Sequence, residues 1–445
     1  MASSFPSRVQ SHGVPVGLLQ GVRLLDPWQG RDQRVDVWLE AGQIQAMGEP
    51  GMRRPEGIPA DLPTLDGSGW VLGPGLVDLY AHSGEPGYES RETLASLAAA
   101  ALAGGFTRVG ILPTTHPVLD SAEQLGRYPR QDGAPDWWPW AALTLGAKGK
   151  HPSEWGELAQ AGAIGFTDEQ PLRSLVLLRR ALEYLHVWNK PLLLWPWDPQ
   201  LAGSGSLYEG VWALRLGLKG IPADAETAAL ARILEVVRSV PSPAPVHIMR
   251  LSQARSLELI QQAQQEGLPV TASTTWMHLL LDEQAILEQD YNPNLHLLPP
   301  LPKASDRQAL IHGIRSGSLA IATDHRPYTY EEKTLPFAEA PVGAIGLELA
   351  LPLLWQNLVE SGELTALQLW SALSLHPARC LGWEPVPLGS AADWVLADWV
   401  LFDPHLTWTV SASTLESKSL ATPWLDKTIR GKVLHTQLGK TKGRG

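Results

Sequence analysis

The sequence predicts an α/β protein: a TIM-like (β/α)8 barrel beside a small composite β-sandwich domain built from the N- and C-terminal segments. Three observations point there. Helix-patterned and strand-patterned stretches alternate through the middle of the chain, the order that builds a parallel sheet. Both ends read instead as short alternating strands bounded by Gly, Pro and Asp. No Gly-x-Gly-x-x-Gly phosphate loop accompanies the βα units, which disfavours the runner-up, an open doubly wound sheet. The expected division is 1–70 for the first part of the β-domain, 71–389 for the barrel and 390–445 for the second part of the β-domain.

The elements follow in order. "GVRLLDPWQG", "RVDVWLEAGQIQAMG" and "LDGSGWVL" alternate as strands should. "SRETLASLAAAALAGG" is rich in Ala and Leu, ends in Gly-Gly and precedes the strand "FTRVGILP". "GELAQAGAIGFTDE", "SLVLLRRALEYLHVWNKPLLLWPW", "SLELIQQAQQEGLPVTAS" and "RQALIHGIRSGSLAIATDH" repeat that helix-then-strand order. "ADWVLFDPHLTWTVSAS" and "GKVLHTQLG" return to strands. The short basic tail "GKTKGRG" reads as a frayed end.

Composition excludes several classes. A net charge of −11 without a basic stripe argues against nucleic acid. A single cysteine, Cys380, allows no intrachain disulfide and fits a reducing cytoplasm. The first residues lack the apolar centre of a signal peptide, and no run of about 18 apolar residues suggests a membrane span. The 19 Trp are many, and aromatics of this kind fill cores and interfaces.

In a barrel, functional side chains gather at the carboxyl ends of the strands. The polar residues there are Tyr80 and His82, Thr114, Asp168, Trp195, Trp197 and Asp198, His247 and Arg250, Ser273 and Thr274, and Asp324 and His325. The stretch "VDLYAHSGEPG" is informative. With histidine in place of Tyr80 it would carry a His-x-His metal pair at a strand end. His116, His151, His278, His312 and His376 read as ordinary loop or helix histidines.

Several stretches together resemble dihydroorotases of the amidohydrolase superfamily. They are "GPGLVDLYAHSGEPGYESRETLASLAAAALAGGFTRVGILPTTHPVLD", "GELAQAGAIGFTDE", "LRLGLKGIPADAE", "HIMRLSQARSLELI", "IATDHRPYTYEEKTLPFAEAPVGAIGLELALPLL", "HPARCLGW" and "SKSLATPW". The "ATDH…EEK…PF…AP" block is the most specific. The resemblance implies the barrel with its composite β-domain. It also implies the reversible closure of N-carbamoyl-aspartate to dihydroorotate in pyrimidine synthesis. There zinc activates a water and polarises the amide, and an aspartate moves the proton.

Carried over residue by residue, the resemblance keeps His82, Asp168 and Asp324 as metal positions, with Asp324 also the catalytic acid–base. It loses three others. The family's His-x-His becomes Tyr80-x-His82, and a phenol with a reference pKa of about 10 is a poor zinc ligand. Trp195 replaces a histidine and offers no lone pair. Arg250 replaces another, and its cation repels a metal. The substrate positions change as well. Gly84 replaces the arginine before "EPG", Thr114 and Leu298 replace asparagines, Pro302 replaces the arginine of "PPLR", and Tyr328 replaces a histidine. Arg250 and Arg326 are the candidate replacements for the lost clamp. Trp195, Trp197 and Trp276 are expected near the mouth, where they could fill the space of the metals.

The pattern is that of a pseudoenzyme. No cofactor is expected, and zinc is the metal a remnant site would take. The resemblance further implies a structural or regulatory partnership with aspartate transcarbamoylase, and homo-oligomers. The alternative is an active amidohydrolase with a reduced metal site, on dihydroorotate or another cyclic amide, using Asp324 as base and Arg250 to stabilise the oxyanion.

Overall fold

The computed structural model describes residues 17–40, 42–52, 63–128, 131–383 and 397–439. Eight strands build the barrel: Leu76–Ala81, Phe106–Ile111, Asp136–Pro139 continued by Ala141–Ala142, Phe166–Thr167, Leu192–Leu194, Val246–Ile248, Val270–Thr275 and Ala320–Ala322. Each pairs in parallel with the next. Hydrogen bonds from residues just beyond the eighth strand carry the closure to the first. Thr323 donates its N–H (2.8 Å) and hydroxyl (2.5 Å) to the buried Asp78 carboxylate, and the His82 N–H meets the His325 carbonyl at 2.8 Å. Burial pushes the Asp78 carboxyl up to about 7, against the opposing pull of the Thr323 bonds.

The strands alternate as barrel strands must. Leu192 and Leu194, Val246 and Ile248, and Val270 and Ala272 join the main core beneath the helices. Leu193, Met249, Ala320 and Ala322 belong with Trp140 to a second cluster inside the barrel. The expected helices form at Leu94–Ala103, Trp155–Gln160, Leu175–Leu185, Ala254–Gln265 and Ala304–Arg315, with Asp224–Ser239 and Ala366–Leu373 completing the main outer layer. Local chemistry sets their starts. Thr93 with Ser96 and Thr365 with Gln368 form reciprocal capping boxes, and the Ser174 hydroxyl accepts from the Leu177 N–H. In Leu175–Leu185 the buried residues Leu177, Leu178, Ala181, Leu182 and Leu185 recur at helical spacing, so one stripe meets the core.

The chain ends meet in one sheet of seven strands. Its order is Thr428–Gln437, Trp399–Thr409, Val71–Pro74, Gly17–Asp26, Arg31–Glu40 and Gln43–Gly48, with Thr64–Asp66 beside Gly17–Asp26. Leu19, Val22, Leu24, Val35, Val37 and Trp399 give this domain a core of its own. Alternating neighbours on the other face, Leu25, Val71, Val400 and Phe402, join the barrel core instead. Register shifts at Leu19/Val22 and Leu401/Phe402 mark bulges that bend the long strands. The barrel was expected to begin at 71, but Val71–Pro74 pairs with Trp399–Thr409 and lies in the small sheet. Its alternation serves both domains, which is why sequence placed it with the barrel. The expected second boundary, 389/390, lies outside the described residues.

Two further features position the functional end. At the amino ends of the strands, Arg108 pairs closely with Asp398, lies 3.7 Å from Asp136 and stands 3.9 Å from the Trp383 ring centre. At the carboxyl ends, the connection between the last two sheet strands returns to the mouth. Its Glu416 and Ser417 N–H groups donate to Glu348 at 2.9 and 3.0 Å. The Ser419 hydroxyl accepts from the Tyr328 N–H (3.0 Å) and donates to the Tyr328 carbonyl (2.7 Å). Among the described residues no helix is long and apolar enough to cross a membrane.

Candidate functional site at the barrel mouth

Four strand ends deliver charged side chains to one point. His82 follows the first strand, Glu169 the fourth, Arg250 the sixth and Asp324 the eighth. Three of these residues hold left-handed backbone: Glu169 (φ 58°), Arg250 (φ 58°) and Asp324 (φ 47°). Such conformations cost a non-glycine residue about 1–3 kcal/mol and persist only where surrounding structure imposes them. The turns thus aim the three side chains inward at an energetic cost.

The guanidinium of Arg250 is the centre. Its Nε and Nη2 grip Asp324 at 2.9 and 2.6 Å, and the same Nη2 reaches Glu169 at 3.1 Å. Arg326 adds a second guanidinium: its Nη2 pairs closely with Glu169, and its Nε donates to His82 Nε2 at 2.8 Å. The Thr114 hydroxyl also bonds Glu169. Burial opposes ionisation of Glu169, but the guanidiniums of Arg326 and Arg250 outweigh it and hold the carboxyl well below its usual range. Burial, then Arg326, pushes the His82 imidazole below its usual value. One ring nitrogen cannot both accept from Arg326 and donate to Glu169, 3.1 Å away. The neutral ring accepting from Arg326 satisfies both the short contact and the lowered pKa.

Tyr80 lies just below. Its hydroxyl accepts from the Arg250 N–H (3.1 Å) and shares a bond with Ser273 (3.0 Å), which continues to His247 (2.9 Å) and from there to Thr271 (2.8 Å). Burial, then Asp324, drives the phenol's pKa up, so it stays protonated. Burial pushes His247 down to about 3. Tyr80 is therefore a neutral strut beneath the Arg250 turn, as expected of a phenol in a lost ligand position.

Asp168 requires a correction. It was expected among the metal positions, yet its carboxylate turns to Thr144, accepting from the N–H at 2.8 Å and the hydroxyl at 2.7 Å. Glu169, one residue later, meets His82 and the arginines instead. The signal was strand parity. Phe166 packs outward into the main core, so Asp168 shares its side and Glu169 the opposite one.

The other predicted positions divide between the mouth and its surroundings. The Trp195 ring lies 5.3 Å from the Arg250 guanidinium and stacks on Trp197 at 5.6 Å. Trp197 itself belongs to a satellite cluster with Tyr208 and Ile221. Trp276 is buried, leans on Trp424 with ring centres 5.0 Å apart and planes tilted by 32°, and lines a cavity of about 20 Å³ with Asp324 and Leu298. Pro302 offers its carbonyl to the Glu283 N–H at 3.0 Å. The Tyr328 hydroxyl donates to the Val342 carbonyl at 2.8 Å. Gly84 could not carry the arginine of the family: a Cβ there would lie 2.3 Å from the Glu92 carbonyl oxygen. His325 sits in the wall, 3.5 Å from buried Glu92, and His278 spans Thr275 and the Pro299 and Pro300 carbonyls.

Above the cluster opens a cavity of about 230 Å³, lined by His82, Thr114, Glu169, Arg326, Tyr328 and Arg91 among others. Arg91 forms its lip. It is clamped to Glu332 at 3.0 Å and flanked by the rings of Tyr88 (4.7 Å) and Tyr328 (5.1 Å). Among the described residues no group of three or more His, Cys, Asp or Glu is arranged to hold a metal ion. Zinc fits these residues poorly for a direct reason. Guanidinium nitrogens already hold the donor atoms of His82, Glu169 and Asp324.

Comparison with known proteins agrees with this frame. Residues 69–249 match the family model described as dihydro-orotase-like. A relative from Synechocystis sp. described as a probable dihydroorotase-like protein is 43% identical over 444 residues, spanning 93% of this chain and 97% of its own length. The dihydroorotase of Pelobacter propionicus is 38% identical, spanning 94% and 97%. Among solved structures, the L-hydantoinase (dihydropyrimidinase) of Arthrobacter aurescens superposes with a TM-score of 0.78 at 20% identity, covering 96% of this chain and 97% of that one. The dihydropyrimidinase of Brevibacillus agri NCHU1002 gives 0.73 at 18% identity, covering 95% and 93%. These structural likenesses speak for the barrel with its sandwich domain alone. Near-complete coverage by relatives above one-third identity decides the family: the chain is a dihydroorotase-like protein of the amidohydrolase superfamily.

Proposed function

We propose that this dihydroorotase-like chain is non-catalytic and serves as a structural or regulatory partner of aspartate transcarbamoylase. One observation carries the non-catalytic part. Both oxygens of Asp324, the acid–base candidate, are held in the fork of Arg250, at 2.9 and 2.6 Å. Held in this fork, neither carboxylate oxygen can turn to a substrate proton without breaking a bidentate charge-assisted contact. The residue gripping it stands where the family pattern has a metal-binding histidine. The clamp position is closed as well, because Gly84 has no room for a side chain. An intact scaffold with a disabled mouth suits a role carried by surfaces, which supports the partner reading.

A second reading has one observation in its favour. The cavity of about 230 Å³ reaches Glu169, His82 and Thr114, room for a small polar molecule, as an amidohydrolase with a reduced metal site or another cyclic amide substrate would need. The two readings separate experimentally. Tagged protein from its native host should retain aspartate transcarbamoylase through size-exclusion chromatography. It should show no turnover of cyclic ureides or imides. Failure to retain the transcarbamoylase removes the partner role. Turnover abolished by Asp324→Ala favours the second reading.

A further inference from the structure

We propose that Arg250 and Arg326 together stand in for a divalent cation, and that their removal uncovers a cation site made by His82, Glu169 and Asp324. The inference rests on the non-catalytic reading but makes a separate claim about metal. The geometry is specific. Nη2 of Arg250 touches both acids, Glu169 Oε1 at 3.1 Å and Asp324 Oδ1 at 2.6 Å. His82 Nε2 faces the same two oxygens at 3.1 and 4.0 Å. One nitrogen and two carboxylate oxygens thus lie close together, the two oxygens bridged by the Arg250 Nη2 group and the nitrogen held by Arg326. Zinc accepts such a donor set, with three protein ligands and an open fourth position.

The charges agree. Two carboxylates face two guanidiniums. The cluster is therefore balanced, as it would be with one divalent ion in place of both arginines. The guanidiniums also satisfy the donor atoms in a place where an unpaired carboxylate would be costly. Unlike a bound metal, they do not depend on supply and cannot be chelated, and arginine does not deprotonate. The left-handed turns at Glu169 and Asp324 keep the two acids convergent, so the site is closed by the arginines rather than dismantled.

The test reads metal, not activity. Wild-type protein grown with added zinc should carry less than about 0.1 zinc per chain by elemental analysis, and neither zinc nor EDTA should shift its melting temperature. The double variant Arg250→Gln/Arg326→Gln, which keeps bulk and removes both charges, should bind about one zinc per chain and gain melting temperature on zinc addition. If it does not fold, Arg250→Gln alone, which vacates the point between Glu169 and Asp324 and keeps Arg326 as a counter-ion, should bind zinc at least ~10-fold more tightly than wild type. Stoichiometric zinc in wild type, or a folded variant binding no more zinc than wild type, overturns the inference. Zinc in wild type without turnover sinks this inference and spares the non-catalytic reading. Turnover by metal-free protein does the reverse.

Discussion

Arg108 and Arg250 sit at opposite ends of the same barrel, both buried, both paired to acids and both near a tryptophan ring. Their surroundings differ. Arg108 lies within a regular strand, and its close partner Asp398 also accepts the Gly439 N–H at 2.7 Å. It joins the C-terminal segment to the barrel floor, and neither Arg108, Asp136 nor Asp398 holds left-handed backbone. Arg250 and both of its acid partners hold left-handed backbone, and a cavity opens above them. A buried ion pair alone therefore says little about function. Strain that converges on one point, at the end where barrels place their chemistry, marks a former or present site.

Deleting each arginine is the sharpest way to break that comparison. Arg250→Ala leaves Glu169 and Asp324 short of their shared cation and should destabilise the fold by about 3–5 kcal/mol in denaturant titrations. Acid should come next. The buried His247 stays neutral down to about 3, whereas an unfolded histidine takes up its proton near about 6.5. The unfolded state thus binds protons first as pH falls. Stability contributed by neutral His247 is complete above about pH 6.5 and should drop by a few kcal/mol on the way to about pH 4. His247→Gln should flatten that decline, and an unchanged slope would remove the Tyr80–Ser273–His247 chain from the account.

Arg108→Ala should cost less than Arg250→Ala, about 2–3 kcal/mol, because Asp398 keeps its backbone donor. The reverse order would overturn the comparison. Tyr80→Phe should have the smallest effect, about 1–2 kcal/mol, from an Arg250 N–H left without a partner and a Ser273 hydroxyl left with His247 alone. A larger loss would make the phenol a main support of the site.

Much of the fold was legible. Helical periodicity with Gly-terminated ends marked Leu94–Ala103 and Ala254–Gln265, and short apolar runs marked the strands after them. The replacement of His by Tyr80, Trp195 and Arg250 could be read through the family resemblance. The identity of the inward acid could not. Asp168 and Glu169 are adjacent and chemically alike, so residue type does not separate them; strand parity counted from Phe166 does, and the Thr144 bonds to Asp168 agree with it. The Arg326–His82 contact was hidden for a similar reason, since it joins residues 244 positions apart across the barrel closure. Val71–Pro74 shows the remaining limit: an alternating strand between two domains carries no mark of which sheet it joins.

The central claim is that guanidiniums have displaced the chemistry of this mouth. The most direct test is dihydroorotate ring opening and closure, with zinc supplied, by protein made in a host deleted for its own dihydroorotase. The account predicts no turnover above buffer in either direction. Clear turnover that is lost in Asp324→Ala would contradict it, since the Arg250–Asp324 fork would then have to open during catalysis.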